Sequence, residues 1–319
     1  MTDQHVPRPA ADSPADAPEA ATTVEATTTT TTVEVAGRPV RIRRSGPADA
    51  PPVALLHGIG RSLEDWSAAH ELLAQDHRVL SMDLPGFGLT PAGADRPGLG
   101  TFARAVLGVL DAIGEERPVH LMGNSLGGAV AMTVAAERPE RVAGLLLANS
   151  AGFGREANVS ALPMVWAGLS RLPVVGHRFL PLARAAAVRS NQNCFFDPSL
   201  ATPERLRHAA RVGAQPDFRA TFLGTYRSIG LPMIGVLPGW RRTLLEKVRA
   251  SGVPVLVVWG DADAVLPAHH AGAAAAALPE ARVHVFPDTG HMPQIERTRE
   301  LVELARGFVA SVEESRSAR

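Results

Sequence analysis

The feature that most constrains the fold is a serine enclosed by glycines between an apolar segment and a run of small residues. Residues 118–122 are mostly apolar and predict a buried strand, whereas residues 126–136 are rich in Ala, Gly and Val and predict a helix. Ser125 lies at the turn between them, with Gly123 before it and Gly127 after it. A tight strand-to-helix turn strains the serine backbone and leaves no room for flanking side chains, so glycine is required there. The pattern predicts an exposed hydroxyl at a helix N-terminus, where it can attack a carbonyl carbon.

The sequence also contains the partners that such a serine needs. A serine hydroxyl becomes a strong nucleophile only when a histidine accepts its proton and an acid orients that histidine. Asp261 and Asp263 follow one predicted apolar strand, and His291 follows the next predicted strand. Because sites in open parallel sheets form beyond the carboxyl ends of the strands, we expect these side chains to meet Ser125 there.

Five short motifs between residues 33 and 312 resemble those of the α/β-hydrolase fold family. They are the oxyanion-loop motif His57-Gly58-Ile59-Gly60 with Trp66, the turn Asp83-Leu84-Pro85-Gly86-Phe87-Gly88, the serine turn, the acid loop Gly260-x-x-Asp263-x-x-x-Pro267, and the histidine loop Gly290-His291 with Glu296. The chain order Ser, Asp, His is also that of this family. The resemblance implies an α/β fold, with a mostly parallel eight-stranded sheet flanked by helices and a helical cap inserted after the sixth strand.

The resemblance also implies a role for each residue of the expected triad. Ser125 is then the nucleophile, and His291 is the general base that later protonates the leaving group. Asp263 orients His291 and stabilises the imidazolium that forms. Asp261 is the alternative acid, but the spacing of the acid-loop motif fits Asp263.

The oxyanion hole is expected to consist of two backbone amides, those of Ile59 and Leu126. His57 is interpreted as part of the oxyanion loop and not as the base. Asp83 and Glu296 match family positions and are interpreted as structural anchors of their loops.

Composition divides the chain into four parts. Residues 1–32 are rich in Thr, Ala, Pro and Asp and are expected to be a disordered tail, because so few large apolar side chains cannot offset the entropy of ordering. Residues 33–151 and 251–319 are expected to form the hydrolase core, and residues 152–250 the helical cap. Apolar side chains of the cap are expected to line a substrate pocket or to pack on the core: Trp166, Phe179, Phe195, Phe196, Phe222, Tyr226, Met233 and Trp240.

Charge and residue counts exclude several classes of function. The formal net charge of zero provides no electrostatic reason to expect nucleic acid or an anionic membrane as a partner. Cys194 is the only cysteine, so an intramolecular disulfide is impossible, and a buried structural thiol is expected. The 11 histidines show no metal-binding spacing, and no phosphate-binding loop is present, so neither metal nor cofactor is expected. Without a signal peptide or a long apolar run, we expect a cytoplasmic protein without stable membrane insertion that acts on a small molecule.

The triad predicts acyl transfer to water, with a carboxylic ester of a small to medium apolar substrate as the first expectation. The chain also resembles the hydrolases that cleave carbon–carbon bonds in ring-fission products, at Gly123-Asn124-Ser125 and Phe196-Asp197-Pro198-Ser199-Leu200. It departs from that subgroup at Met292, where tryptophan is usual, and at Ala68, where asparagine is usual. Thioesterase, lactonase or perhydrolase activity is also compatible with the triad, as is a receptor that binds a ligand with little turnover.

Overall fold

The structure is a computed structural model that describes residues 29–158, 169, 180–231 and 235–318. Its strands, numbered in chain order, are β1 Thr29–Val35, β2 Arg38–Ser45, β3 Pro52–Leu56, β4 Arg78–Met82, β5 Val119–Asn124, β6 Val142–Ala148, β7 Gly230–Leu231, β8 Gly235–Val236, β9 Val255–Gly260 and β10 Arg282–Phe286. Eight of these strands form one sheet in the order β1-β2-β4-β3-β5-β6-β9-β10, and β7 pairs with β8 in a small hairpin.

The sheet is mostly parallel, as predicted. β2 pairs antiparallel with both β1 and β4, and every other neighbouring pair in the sheet is parallel. Strands β3, β5, β6 and β9 are buried along their whole length, which explains why they appear in the sequence as continuous apolar runs. Helices must therefore cover both faces of the sheet.

The described helices are α1 Ser67–Leu73, α2 Leu99–Ala112, α3 Leu126–Glu137, α4 Leu180–Gln192, α5 Pro203–Gly213, α6 Phe218–Ile229, α7 Pro238–Ser251, α8 His269–Ala277, α9 Pro293–Glu296 and α10 Thr298–Ser317. Alternate residues of each central strand face different cores: Ala54 and Leu56 pack into the core beneath α2, α3 and α7, whereas Val53 and Leu55 pack into the core beneath α1 and α10. This two-sided burial holds the carboxyl ends of the parallel strands at one rigid edge. None of the helices described combines the length and the apolar character needed to cross a bilayer.

The N-terminal boundary differs from the expectation. β1 begins at Thr29, so the threonines at 29–32, which we expected in the disordered tail, pair with residues 41–44 of β2. Threonine is β-branched and favours extended backbone, and a hairpin partner was available directly downstream. The remaining part of the expected tail, residues 1–28, lies outside the described residues.

Helices α4 to α7 and the β7–β8 hairpin lie between β6 and β9. α7 lies inside the range 152–250 that we expected to form the cap, but it packs against α3, and its Leu244 and Val248 belong to the main core. We therefore place the end of the insertion before α7. The expected cap residues Trp166, Phe179 and Met233 lie outside the described residues.

Candidate active site

Ser125 occupies a strained turn between β5 and α3. Its backbone has φ 55° and ψ −117°, a conformation that non-glycine residues rarely adopt. A Cβ at Gly123 would overlap the backbone of Gly127, and a Cβ at Gly127 would overlap the carbonyl of Leu56. The glycines on both sides of Ser125 are therefore a steric requirement of the turn, and the serine directly precedes the first turn of α3.

His291 and Asp263 are hydrogen-bonded to each other in the loops after β10 and β9. His291 Nδ1 lies 2.8 Å from Asp263 Oδ2, and the side chains are only 5% and 0% exposed, so solvent scarcely weakens the interaction. The other carboxylate oxygen, Oδ1, accepts hydrogen bonds from the backbone amides of Val265 at 2.7 Å and Leu266 at 2.9 Å. Burial alone would raise the pKa of Asp263, but the nearby His291 and these hydrogen bonds lower it below its ordinary value. Asp263 is therefore held as a carboxylate.

Asp261 is not in this network. Its backbone amide donates to Phe286 O at 3.0 Å, and its side chain accepts a hydrogen bond from Thr289 N at 3.4 Å. Its side chain thus supports the turn after β10, whereas Asp263 is paired with His291.

Ser125 and His291 lie at the same edge of the sheet and are connected through Asn124. The Asn124 side chain donates a hydrogen bond from Nδ2 to the backbone oxygen of His291 at 2.9 Å. Among the described residues, Ser125 Oγ makes no hydrogen bond to the His291 ring. Direct proton transfer between them would therefore require a change in the position of either side chain.

The two amides expected in the oxyanion hole are free to bind a ligand. Within the described ranges, neither Ile59 N nor Leu126 N donates a hydrogen bond to any protein acceptor. Both residues line the same cavity as Ser125, together with Ala151, Ala157, Tyr226, Ile229, Gly230, Val236 and Leu266. The cavity has a volume of about 40 Å³. That is room for about three water molecules.

His57 and Asp83 support the loop that carries Ile59. His57 Nε2 accepts a hydrogen bond from Leu84 N at 2.9 Å, so the ring proton is on Nδ1, which donates to Gly58 O at 2.7 Å. Complete burial lowers the pKa of His57 and keeps it neutral. Asp83 accepts hydrogen bonds from Leu63 N at 2.9 Å and from the Arg41 side chain at 3.2 Å. Both ring nitrogens of His57 are thus occupied, and neither can act as a base.

Asn149 is a residue of the site that the sequence motifs did not indicate. It directly follows β6, has a positive φ of 43°, and donates from Nδ2 to Asp263 Oδ2 at 2.7 Å and to Gly290 O at 3.2 Å. The signal available in the sequence was its position, because polar residues directly after a central parallel strand lie at the catalytic edge. Asn149 thus links the acid loop to the histidine loop.

Glu296 and Cys194 connect the histidine loop to the insertion. Glu296 Oε1 accepts from Gly290 N at 3.0 Å, and its Oε2 accepts from Phe196 N at 2.8 Å. Cys194 O accepts a hydrogen bond from the backbone amide of His291 at 2.8 Å. Burial raises the pKa of the Cys194 thiol to about 11, so this group is not a thiolate nucleophile near neutral pH.

One cluster of side chains could hold a metal ion. The ligand atoms of Glu156, His269 and His270 lie within 4.8 Å of one another, and Glu156 Oε2 is 2.9 Å from His270 Nε2. Spacing along the sequence did not indicate this group, because Glu156 is distant from the two histidines in the chain. Its carboxylate and His270 already satisfy each other as a hydrogen-bonded pair.

A larger cavity, with several charged side chains in its lining, lies beside the oxyanion loop. It has a volume of about 460 Å³ and is lined by residues of that loop, the following turn and α5: Gly60, Arg61, Ser62, Glu64, Asp65, Thr202, Glu204, Arg205, His208, Ala209 and Val212. Arg61 donates to both oxygens of Asp65 at 2.7 Å and to Asn191 Oδ1 at 2.6 Å. The guanidinium of Arg205 makes no hydrogen bond or ion pair with any residue that the structure describes.

The chain is similar in sequence to proteins of one known fold family. The family model for the alpha/beta hydrolase fold matches residues 51–298. The chain is 30% identical over 285 residues to a 2-hydroxy-6-oxo-6-phenylhexa-2,4-dienoate hydrolase of Burkholderia cepacia, covering 85% of this chain and 92% of that protein. It is 31% identical over 277 residues to the dihydrolipoyllysine-residue acetyltransferase component of the acetoin cleaving system of Pseudomonas putida, covering 86% and 68%.

Solved structures with a similar fold include several hydrolases. A bacterial membrane phospholipase A superimposes with a TM-score of 0.71 at 25% identity, over 90% of this chain and 87% of that one. A 2-hydroxy-6-oxo-6-phenylhexa-2,4-dienoate hydrolase from a Rhodococcus strain superimposes with a TM-score of 0.74 at 21% identity, over 89% and 99%. The second likeness concerns the fold alone.

Proposed function

The chain belongs to the α/β-hydrolase fold family, and from that premise we propose that it is a serine hydrolase that cleaves a carboxylic ester of a small to medium apolar substrate. The observation that carries the proposal is the buried Asp263–His291 pair at the same edge of the sheet as a strained Ser125, where two backbone amides are unpaired among the described residues. The apolar lining of the Ser125 cavity supports an apolar acyl or alcohol group.

The reaction proceeds in two stages. In the first, Ser125 Oγ attacks the ester carbonyl while His291 accepts the hydroxyl proton, and Asp263 stabilises the imidazolium. The oxyanion of the tetrahedral intermediate accepts hydrogen bonds from the amides of Ile59 and Leu126. His291 then gives its proton to the leaving alkoxide, and an alcohol and an acyl-enzyme result.

Water completes the cycle. His291 removes a proton from a water molecule as it attacks the acyl carbonyl, and the proton then passes to Ser125 Oγ as the acyl–oxygen bond breaks. The carboxylic acid leaves, and the free enzyme is restored. One ester and one water have become one acid and one alcohol.

Substitution of the nucleophile tests this proposal. We expect Ser125→Ala to lower kcat for p-nitrophenyl esters by about 10⁴-fold or more, because the covalent route is lost. Hydrolysis is measured for acyl chains from acetate to palmitate, and the preferred length reports the depth of the pocket. The exposed Ser199→Ala serves as the matched control and should leave kcat unchanged. Full activity in Ser125→Ala would exclude the mechanism.

A second candidate is a carbon–carbon bond hydrolase that acts on a ring-fission product. It is supported by the 30% identity to the Burkholderia cepacia hydrolase and by the charged cavity beside the oxyanion loop, where Arg205 could receive a substrate carboxylate. Met292 and Ala68 argue against it, because they replace the residues usual in that subgroup. Cleavage of a 2-hydroxy-6-oxo-dienoate is measured by the loss of its absorbance. A kcat/KM for this substrate that is higher than the kcat/KM for any ester would favour this candidate.

A further inference from the structure

Helix α4 exposes large side chains and buries small ones. Its only buried residue is Ala183, whereas Leu180 is 42% exposed, Leu182 46% and Val188 37%. Phe196, which follows the helix, is 51% exposed. These four account for most of the large apolar side chains that are exposed in the described ranges, and the others are Val283 and Val285.

This arrangement is the reverse of an ordinary surface helix. At 100° per residue, Ala183, Ala187 and Ser190 share the inward face of α4, and Leu182 and Val188 lie on the outward arc. Leu180, the first residue of the helix, lies on the side of Ala183 and is exposed at the N-terminal end. Burying leucine removes more apolar area from water than burying alanine, so packing among the residues that the structure describes does not favour this orientation. The outward face is therefore suited to an apolar partner.

The charges on the same face have one sign. Arg184 and Arg189 are exposed, and their guanidinium groups make no hydrogen bond or ion pair with any described residue. Residues 180–196 contain no Asp or Glu, and in the sequence the acid-free stretch extends back to residue 157. A chain whose net charge is zero thus has a local excess of positive charge at α4.

We propose that the α4 patch, formed by Leu180, Leu182, Arg184, Val188, Arg189 and Phe196, docks on the surface of an anionic lipid bilayer. The apolar side chains would enter the boundary between headgroups and acyl chains, and the arginines would contact lipid phosphates from their flexible stems. The net charge of zero gave no reason to expect an anionic membrane as a partner. However, salt at physiological ionic strength screens charges that lie more than about 8 Å from the bilayer, so the local charge at α4 determines the attraction.

The charges favour a bilayer over a second copy of the chain as the occupant. In a two-fold dimer through α4, the same patch would face itself, and Arg184 and Arg189 would lie near their own copies. Residues 180–196 contain no acidic side chain, and Asp197, which directly follows, accepts a hydrogen bond from Ser199 N and is a single charge against two arginines. An anionic headgroup layer neutralises both.

Docking through α4 would bring the catalytic edge close to the lipid. Asn191 in α4 accepts a hydrogen bond from Arg61, in the loop after the oxyanion residues, at 2.6 Å. Cys194 and Phe196, just beyond α4, are hydrogen-bonded to His291 N and to Glu296, respectively. The docking proposal does not depend on the proposed hydrolase activity, because binding is measured without turnover.

Vesicle sedimentation with the full-length protein tests the proposal. Vesicles of phosphatidylcholine alone are compared with vesicles of equal parts phosphatidylcholine and phosphatidylglycerol. We expect preferential binding to the anionic vesicles that weakens as salt is added. The double variant Arg184→Gln/Arg189→Gln should bind them about 25-fold more weakly, since one arginine near such a surface is worth about fivefold.

The apolar part of the patch is tested with Leu182→Ser/Val188→Ser, which should bind at least about tenfold more weakly. The matched control is Val283→Ser/Val285→Ser, which removes the other exposed apolar pair and should bind as wild type. Hydrolysis of soluble p-nitrophenyl acetate and the Tm of each variant verify folding.

Three results would overturn the proposal. The first is that the wild type does not bind anionic vesicles, and the second is that the wild type and both α4 variants bind them equally. The third is that the wild type sediments as a dimer in sedimentation velocity whereas the α4 variants sediment as monomers. Vesicle binding without any ester hydrolysis would instead contradict the proposed function and leave the docking surface intact.

Discussion

The carboxylate of Asp263 accepts four hydrogen bonds, from the side chains of His291 and Asn149 and from the amides of Val265 and Leu266. A carboxylate that is satisfied in this way has one orientation and one protonation state. The loop after β9 contains two aspartates, and the difference between them is therefore a matter of hydrogen bonding and not of residue type.

The pair of aspartates provides a direct test of the acid. Asp263→Asn should lower kcat for ester hydrolysis by about 10⁴-fold, because an amide at this position favours the wrong imidazole tautomer. Asp261→Asn is the matched control and should change kcat by less than about threefold, since Asp261 contacts only the turn at Thr289. Equal losses in both variants would contradict the assignment of Asp263.

In the proposed mechanism, Asn149 would act on the reaction through Asp263, as a positioning residue. Asn149→Gly tolerates the positive φ and removes the donor to Asp263 Oδ2. We expect kcat to decrease about tenfold and the free energy of unfolding at neutral pH to decrease by about 1.5–3 kcal/mol, the range for a hydrogen bond to a charged group.

The pH dependence of the free energy of unfolding distinguishes a hydrogen bond from Asn149 to the Asp263 carboxylate from a role of Asn149 in packing alone. The pKa of folded Asp263 lies below its ordinary value of 3.8, so the ionised group stabilises the folded state above that pH, and this stabilisation is lost as the pH falls through the folded pKa. Removing Asn149 raises the folded pKa. The difference in free energy of unfolding between wild type and Asn149→Gly should therefore shrink between pH 7 and about pH 3 in urea titrations. A difference that is constant with pH would indicate packing alone.

At the scale of elements, the serine turn depends on close approach between β5, α3 and β3. The backbone at Leu56 and His57 lies where a side chain on Gly127 would be, and backbone atoms cannot rotate away as a flexible side chain can. The turn that strains Ser125 is held by the packing of α3 against the sheet.

Glycine variants test this packing. Gly127→Ala should lower the free energy of unfolding by about 1–3 kcal/mol, because the new methyl group overlaps backbone. Gly272→Ala, in the middle of α8 with no atom within 4 Å of the new methyl group, should raise it by about 0.5–1 kcal/mol. Both are measured by urea denaturation followed by circular dichroism. A stable Gly127→Ala protein with normal kcat would show that the turn has room to relax.

At the scale of the whole molecule, several hydrogen bonds connect the insertion to the oxyanion loop and the histidine loop. Arg61 binds Asn191, His291 N donates to Cys194 O, and Glu296 bridges Gly290 N and Phe196 N. The insertion is thus coupled to both the oxyanion loop and the histidine loop.

Glu296→Gln tests this coupling. Glutamine has one carbonyl oxygen where glutamate has two, so either Gly290 N or Phe196 N loses its acceptor. We expect the free energy of unfolding to decrease by about 1–3 kcal/mol and limited proteolysis within the insertion to become faster. Glu303→Gln, at an exposed position of α10, is the control and should match wild type in both measurements. An unchanged rate of proteolysis in Glu296→Gln would show that the stability of the insertion does not depend on its hydrogen bonds to the histidine loop.

The fold could be predicted largely because its central strands are continuous apolar runs and its loops contain short glycine motifs. The strand expected at residues 118–122 is β5, Val119–Asn124, which is buried along its whole length because both faces of the sheet are covered. The prediction was less accurate where apolar content does not determine the boundary of an element. The start of β1 at Thr29 depends on pairing with β2. The packing of α7 on α3 depends on neighbours that the sequence of the insertion does not reveal.

The sequence by itself determined the family, the mostly parallel sheet and the strained turn at Ser125, because glycine spacing and hydrophobic runs are local properties. Only the tertiary structure showed the hydrogen bond between His291 and Asp263, the acid that the motif spacing had favoured, added Asn149 to the carboxylate, and turned the large side chains of α4 to solvent. These features depend on the distances between loops that follow different strands and on which face of a helix packs against the rest of the protein. Such distances arise only when the sheet brings distant segments of the chain to one edge.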